Sequence, residues 1–323
     1  MSAIDANTGA PPASSPPDSV SPTSVSPLHV VSVSLGSSSR DHTARAHLLG
    51  RDWVLERRGT DGDLKKAAQI IAELDGHVAA IGLGGIDLNL RAGGRNYLMR
   101  DAQTLARAAK TTPVVDGSGL KDTLERATIQ TLNRQKIIDF QTEKVLLTCA
   151  VDRFGMAEEL VAVGADVTFG DLFFILNIPV RMTKLATVKR LGALILPVAC
   201  RLPFKLLYPT GKAQTEILDS KPHRQLFEAN SVIAGDFLLM RRYLPADLGG
   251  KIILTNTVTG ADVELLKARG AKKLITTTPE FEGRSFGTNV MEGVFAALGA
   301  KTPAEYRALL AQLDWQPRVV EMN

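Results

Sequence analysis

The sequence predicts an α/β protein of two domains on parallel sheets, the second sheet doubly wound. Three features lead there. Runs of β-branched residues alternate with helix-period segments through both halves, and residues 144–171 fit strand, helix and strand into one compact unit. The 323 residues, 45% hydrophobic and 22% charged, suffice for two cores.

Order is expected from His29. HVVSVSL (29–35) has the composition of a buried strand, Gly36-Ser37-Ser38-Ser39 that of a turn, and a helical pattern follows near Asp41, placing His42 one turn into a helix. WVLERRG (53–59) supplies a second strand. After the TDGD turn, Leu64, Ala67, Ala68, Ile70, Ile71 and Leu74 recur at helical spacing, and VAAIGLGG (78–85) is a third strand. A helix at 102–109, the strand TPVVDG (112–117) and a long helix over 120–140 complete an N-terminal α/β domain at 29–140, suited to hold a substrate. The long helix is the expected hinge.

In the second half, KVLLTCA (144–150), a helix at 156–163 closed by Gly164, and ADVTFGD (165–171) form a βαβ unit. VIAGDF (232–237), KIILTNT (251–257) and KKLITTTP (272–279) add three strands, with helices at 238–243, 260–269 and 289–298. Five strands with intervening helices make 141–323 a Rossmann-like doubly wound parallel sheet, interrupted by an insertion at 177–220. Right-handed crossovers then gather the strand C-termini on one edge, where open α/β sheets bind ligands.

Several classes are excluded. Residues 1–28 are rich in Pro, Ser and Thr and are expected to form a disordered tail, without the basic and apolar regions of a secretory signal. The longest apolar stretch, 191–200, contains Pro197 and falls well short of the roughly 20 residues a spanning helix needs. The net charge of +4 is dispersed among acids, so no nucleic-acid partner is expected. Cys149 and Cys200 have neither disulfide-framework nor metal-ligand spacing, so no metal site is expected, and a cytoplasmic protein follows.

Ligand chemistry is expected at the strand ends. The turn Ala150-Val151-Asp152-Arg153-Phe154-Gly155 stands where a dinucleotide fingerprint would read GxGxxG, with Asp171 about 20 positions past its start, suited to a ribose 2′-hydroxyl. Gly155 matches the third glycine, while Asp152 puts a carboxylate where the pyrophosphate approaches unless Arg153 compensates. Asp152, Arg153, Gly155, Asp171, Thr255, Asn256 and Thr257 are therefore the cofactor-binding candidates, for NAD in preference to NADP. In TTTPEFEGRSFGTN (276–289), Arg284, Ser285 and Asn289 precede a helix N-terminus and suit an anion; with Ser37 and Ser38 they are the substrate-binding candidates. Lys121 and Asp122 are the catalytic candidates, a proton donor beside an orienting carboxylate. A first-turn role for Asp122 at the helix dipole stands beside that.

From Leu172 to Thr215 there is no acid, while Arg181, Lys184, Lys189, Arg190, Arg201, Lys205 and Lys212 are interleaved with apolar runs. The segment reads as a packed subdomain, a basic lid over an anionic small-molecule substrate, a homo-oligomer contact, or an element on an anionic membrane surface.

The Ser-rich first turn and Lys121 resemble the shikimate/quinate dehydrogenase architecture. The strings VVSVSLGSS, RRGTDGD, IGLGGIDL, VVDGSGLKDTLER, LLYPTGKAQ, TNTVTGADV and TTTPEFEGRSFGTN resemble a bacterial family labelled quinate 5-dehydrogenase. That resemblance implies an NAD(P)-dependent oxidoreductase acting on a hydroxylated anionic small molecule, with Lys121 gripping substrate hydroxyls. The chain departs from the shikimate pattern in two places: TDG (60–62) precedes the lysine, and AVDRFG replaces the glycine-rich turn. The alternative is a non-redox binding protein, or a transferase using a phosphorylated or nucleotide-sugar ligand.

Overall fold

The computed structural model describes residues 26–92, 95–203, 217–218, 220–278, 280–281, 284–285 and 287–322; for 91–92, 280–281 and 284–285 only the backbone is described. The expected tail lies almost wholly outside these residues, as do Lys205 and Lys212 of the basic segment.

The first sheet begins with β1 (Leu28–Ser34), followed by a short 3-10 turn at Ser38–Arg40, β2 (His42–Leu48) and β3 (Arg51–Gly59). The helix expected from Asp41 is thus a strand. Burial along β2 alternates with period two, with Ala44 inward between exposed Thr43 and Arg45. A two-residue turn, Leu49-Gly50, carries positive φ at both positions (53° and 71°) and folds β2 back on β3 as a hairpin. Then come α1 (Leu64–Leu74), capped by Asp63 on the Lys65 and Lys66 N–H groups, β4 (Ala80–Gly84), the hairpin β5 (Asn89–Ala92) and β6 (Arg95–Leu98), α2 (Arg100–Ala106) and β7 (Val114–Val115). The strand order is β2-β3-β1-β4-β7, parallel except for β2.

From there α3 (Ser118–Arg134) leads to the second sheet, ending six residues before the expected boundary at a Gln135 cap followed by Lys136 at φ 54°. The order continues with β8 (Lys144–Leu147), α4 (Phe154–Ala162), β9 (Asp166–Phe169), α5 (Asp171–Leu176), α6 (Leu185–Ala199) and α7 (Lys221–Glu228). Next are β10 (Val232–Ala234), α8 (Phe237–Arg241), β11 (Ile252–Thr255), α9 (Gly260–Ala268) and β12 (Lys273–Thr276). A small hairpin, β13 (Glu280–Phe281) with β14 (Arg284–Ser285), precedes α10 (Thr288–Ala297), α11 (Pro303–Gln312) and β15 (Arg318–Glu321). The second sheet runs β15-β12-β11-β10-β8-β9, five parallel strands plus antiparallel β15, which the sequence pattern did not suggest.

Both sheets change winding direction at their first strand. In the second, β8 lies between β9 and β10; in the first, β1 lies between β3 and β4. The crevice beside a reversal of this kind is where doubly wound sheets hold ligands, and here it opens at the ends of β8 and β10 and of β1 and β4.

The C-terminal helices cross back to the first sheet. Val290, Met291, Val294 and Phe295 of α10 and Tyr306 and Leu310 of α11 share a core with Val30, Trp53, Leu55, Ala80, Leu120 and Leu124. The 141–323 segment therefore serves both domains. Gly293 allows this close packing, since a Cβ there would run into the Val30 side chain. Because Phe295 is fully buried in that shared core, Phe295→Ala should destabilise the protein by about 3–5 kcal/mol. Urea unfolding checks this, and a loss under 1 kcal/mol would count against α10 as part of the first core.

Candidate functional site

The two crevices meet at Lys121. The chain enters α3 through Gly117, whose φ of 89° suits glycine, and Lys121 lies in the first turns of that helix. Its Nζ is 2.9 Å from Asp152 Oδ1, on the turn after β8, and 3.3 Å from Asp87 Oδ1, just beyond β4. An ammonium thus joins carboxyl groups from the loops of two different sheets. All three side chains are largely buried.

Behind them lies Arg153. Its side chain is 1% exposed, ion-paired with the equally buried Glu125 of α3, and 3.4 Å from Asp236 after β10. Asp236 Oδ1 caps α8 by accepting from the Leu238 and Leu239 N–H groups, and its Oδ2 accepts from Asn256 Nδ2 at 3.1 Å. Thr255 is fully buried and donates to the Gly235 carbonyl, while Thr257 is partly exposed at the same edge. Four buried polar atoms around the end of β8 have no hydrogen-bond partner: Thr148 Oγ1, Arg153 Nε, Glu125 Oε2 and Asp171 Oδ2.

Burial and charge set the protonation pattern. Burial works against the Lys121 ammonium, but Asp152 and Asp87 more than restore it and hold its pKa above the usual value. Burial likewise opposes ionisation of Asp152, yet the Lys121 and Arg153 charges keep its carboxyl well below the usual range. Asp87 goes the other way: burial raises it well above the usual carboxylate range against the pull of Lys121, and the Asp152 charge raises it further. Of the two, Asp152 favours the ionised form and Asp87 the protonated one. Burial pushes Glu125 up to about 7 despite Arg153, and Asp171 up to about 6.

The remaining expected residues fall as follows. Asp122 turns from Lys121 toward Arg126 (3.1 Å) and packs on Gly155 at the N-terminus of α4, where no other residue leaves room for its carboxylate. Asp171 accepts from the Val151 N–H at 2.9 Å and is buried, so its carboxylate holds the β8–α4 turn together. Ser37 and Ser38 form a local network at the end of β1: Asp61 accepts from the Ser38 N–H, and the Ser37 carbonyl accepts from Arg57. Asn289 is buried and donates to Ser32 Oγ at 2.7 Å, fixing α10 to β1. The side chains of Arg284 and Ser285 lie outside the described residues.

As they stand, these positions leave a dinucleotide pyrophosphate no open seat on this turn. Asp152 is ionised where the diphosphate would approach, Arg153 points inward to Glu125, Asp122 packs against the α4 N-terminus, and one oxygen of Asp171 is taken by the Val151 N–H. Four carboxyl groups, Asp87, Glu125, Asp152 and Asp236, surround Lys121 and Arg153, and burial raises two of them, Asp87 and Glu125, toward the protonated form.

Sequence reasoning reached the strand-end loops that carry Asp87 and Asp236 but passed over Glu125 and Glu292. Lys121 and Glu125 stand at i,i+4, a spacing that could have disclosed Glu125. Glu292, amid the apolar residues of α10, accepts from Tyr306 Oη at 2.9 Å and lies against Gly119 in the first turn of α3, where a Cβ would meet its carboxylate. No local pattern in the sequence announces a partner so distant.

The cleft is shut. Asn89, Ser118, Lys121, Asp122, Glu125, Asp152, Arg153, Phe154 and Gly155 line about 30 Å³, room for about two water molecules. On one flank α6 spans the domains: Val188 and Leu196 join the common core, Lys189 pairs with Glu158 on α4, and the Cys200 carbonyl accepts from the Arg100 N–H of α2. Among the described residues no three His, Cys, Asp or Glu side chains converge as for a metal ion, and no helix is long and apolar enough to cross a membrane.

Two family models match the chain: Domain of unknown function (DUF8754) over residues 119–322 and Domain of unknown function (DUF8753) over residues 29–116. No curated protein matches. Similar solved structures include a hetero-hexameric glutamate dehydrogenase from Thermus thermophilus, 13% identical with TM-score 0.41, over 89% of this chain and 74% of that one. An ABC transporter solute binding protein from Agrobacterium vitis, bound with alpha-D-tagatopyranose, is 10% identical with TM-score 0.39, over 91% and 95%. An NAD-dependent malic enzyme from Thermotoga maritima is 14% identical with TM-score 0.32, over 78% and 66%. At that level none of them speaks to this chain's chemistry.

Burial, reinforced by the Asp116 charge, raises Glu292 to about 7. Its folded pKa exceeds the unfolded one, so the stability it contributes is full below about 4.5 and is lost as pH rises through 7. Melting temperature should therefore fall between pH 5 and pH 7.5, and less steeply in Glu292→Gln, which keeps an acceptor for Tyr306. Parallel curves for the two proteins would contradict the raised value.

Proposed function

This chain belongs to the DUF8754 family, and we propose that its interdomain cleft binds a hydroxyl-rich small molecule and moves a proton at one of its hydroxyl groups through Lys121, Asp87 and Asp152. The observation that carries this is the ammonium held between carboxyl groups from two facing crevices. Lys121 has three N–H donors, and the two carboxyls engage two directions, leaving one for a ligand oxygen. Burial favours the protonated form of Asp87 while Lys121 and Arg153 favour the ionised form of Asp152, so a donor and an acceptor stand side by side. A hydroxyl both donates and accepts, and so suits that pairing.

The oxidoreductase that the quinate 5-dehydrogenase resemblance implies, with NAD or NADP and a quinate- or shikimate-like substrate, is a specific form of this proposal. Its proton-handling half is what these residues support. A nicotinamide dinucleotide requires the cleft to open and the β8–α4 turn to rearrange. A ligand larger than two waters requires opening in any case.

Thermal shift against quinate, shikimate, inositols and hexoses tests the proposal, with nicotinamide fluorescence of added NADH read in parallel. At about 100-fold excess over Kd, a bound ligand adds roughly 2.7 kcal/mol, a rise of a few degrees. The rise should vanish in Lys121→Met and Asp152→Asn. If no hydroxylated compound shifts the melting temperature at millimolar concentration, the proposal fails; an NADH response would extend it to redox chemistry.

A further inference from the structure

We propose that the outer face of α6 docks on the surface of an anionic phospholipid bilayer. The inner face of the helix is used up, since Val188, Gly192, Leu196 and the following Cys200 are buried. The outer face runs Thr187, Arg190, Leu194, Val198, Arg201, one step per turn. Leu194 is 73% exposed and Val198 is 64% exposed, the two most exposed large hydrophobic side chains among the described residues. Arg190 and Arg201 flank them. Arg190 lies within the helix one turn before Leu194, and Arg201 lies just past its Cys200 cap, so a short apolar strip is framed by cations at both ends.

Charge complementarity identifies the occupant. No Asp or Glu occurs from Leu172 to Thr215, and exposed Arg181 and Lys184 add to the field just before the helix. A second copy of this chain is disfavoured by the same arrangement. Antiparallel pairing of two α6 helices about the Leu194–Val198 strip would set Arg190 of each against Arg201 of the other. A single ridge with apolar centre and basic margins fits a plane in which Leu and Val enter the acyl boundary while the arginines reach lipid phosphates. The surface is distinct from the Lys121 cleft, so this proposal stands independently of the ligand.

Full-length protein should sediment with vesicles of phosphatidylglycerol and phosphatidylcholine (1:1) at low salt, release as salt rises, and ignore pure phosphatidylcholine. Each basic residue near such a surface contributes about a fivefold factor, so Arg190→Gln/Arg201→Gln should weaken partitioning on the order of 30-fold. Leu194→Ser/Val198→Ser should abolish it, with circular dichroism unchanged because both residues are exposed. No sedimentation with the anionic vesicles overturns the proposal. So does a concentration-dependent dimer, seen by light scattering without lipid and lost in the Leu194→Ser/Val198→Ser variant, because it assigns the face to a second copy. Binding that the serine pair leaves intact also overturns it, since the contact would then be basic charge alone.

Discussion

A buried ammonium needs acidic partners around it, and Lys121 finds carboxyl groups on two different sheets, Asp152 held in its ionised form and Asp87 raised toward its protonated one. That requirement ties the loop after β4 to the turn after β8, so the crevices at which the two sheets reverse winding are brought face to face. Arg153 and Glu125 repeat the arrangement one layer deeper, and Asp236 extends it to the end of β10. The domains meet through a chain of alternating charges and not through apolar surface at this point. Such a contact holds while the partners are matched and weakens when one is protonated or neutralised. It combines specificity with the capacity to open.

The supports of this cluster are themselves buried and polar. Glu292 and Tyr306, hydrogen-bonded to each other, pack against Gly119 at the start of α3 from helices that belong, by chain order, to the far end of the molecule. Asp171 fixes the β8–α4 turn by its backbone, and Asp122 takes the place at the α4 N-terminus that a phosphate would otherwise find. The chain thus fills with its own carboxylates the positions that a doubly wound sheet commonly offers to a diphosphate. What remains open to a ligand is the ammonium and the carboxyl pair of Asp87 and Asp152.

Much of the fold was legible because buried strands announce themselves: VVSVS, AIGL, KVLL, VIA, IILT and KLIT are short β-branched or apolar runs set off by turns. β2 was missed because HTARAHL buries only small alanines, so its alternation is faint and the preceding serines suggested a helix start. Lys121 and Asp152 were found from chemistry at strand ends, but their contact was not, because nothing local relates residues that meet only when two domains close. Glu125 and Glu292 were missed for a related reason. A carboxylate on an apolar helix face reads as surface until its distant partner is known. Asp171 stands at the end of β9 as its spacing suggested, but the sequence did not disclose that one of its oxygens accepts from the Val151 N–H.

The central claim is that the Lys121 bridge holds the two domains closed. Spin labels at Ala72→Cys on α1 and Ala268→Cys on α9, both exposed helical positions in a chain whose own two cysteines are buried, would report the separation by electron–electron resonance. With Lys121 present the distance distribution should be single and short. In Lys121→Met a longer population should appear. An identical distribution in the two proteins would contradict the claim and place closure in the apolar contacts of α6 and α10 instead.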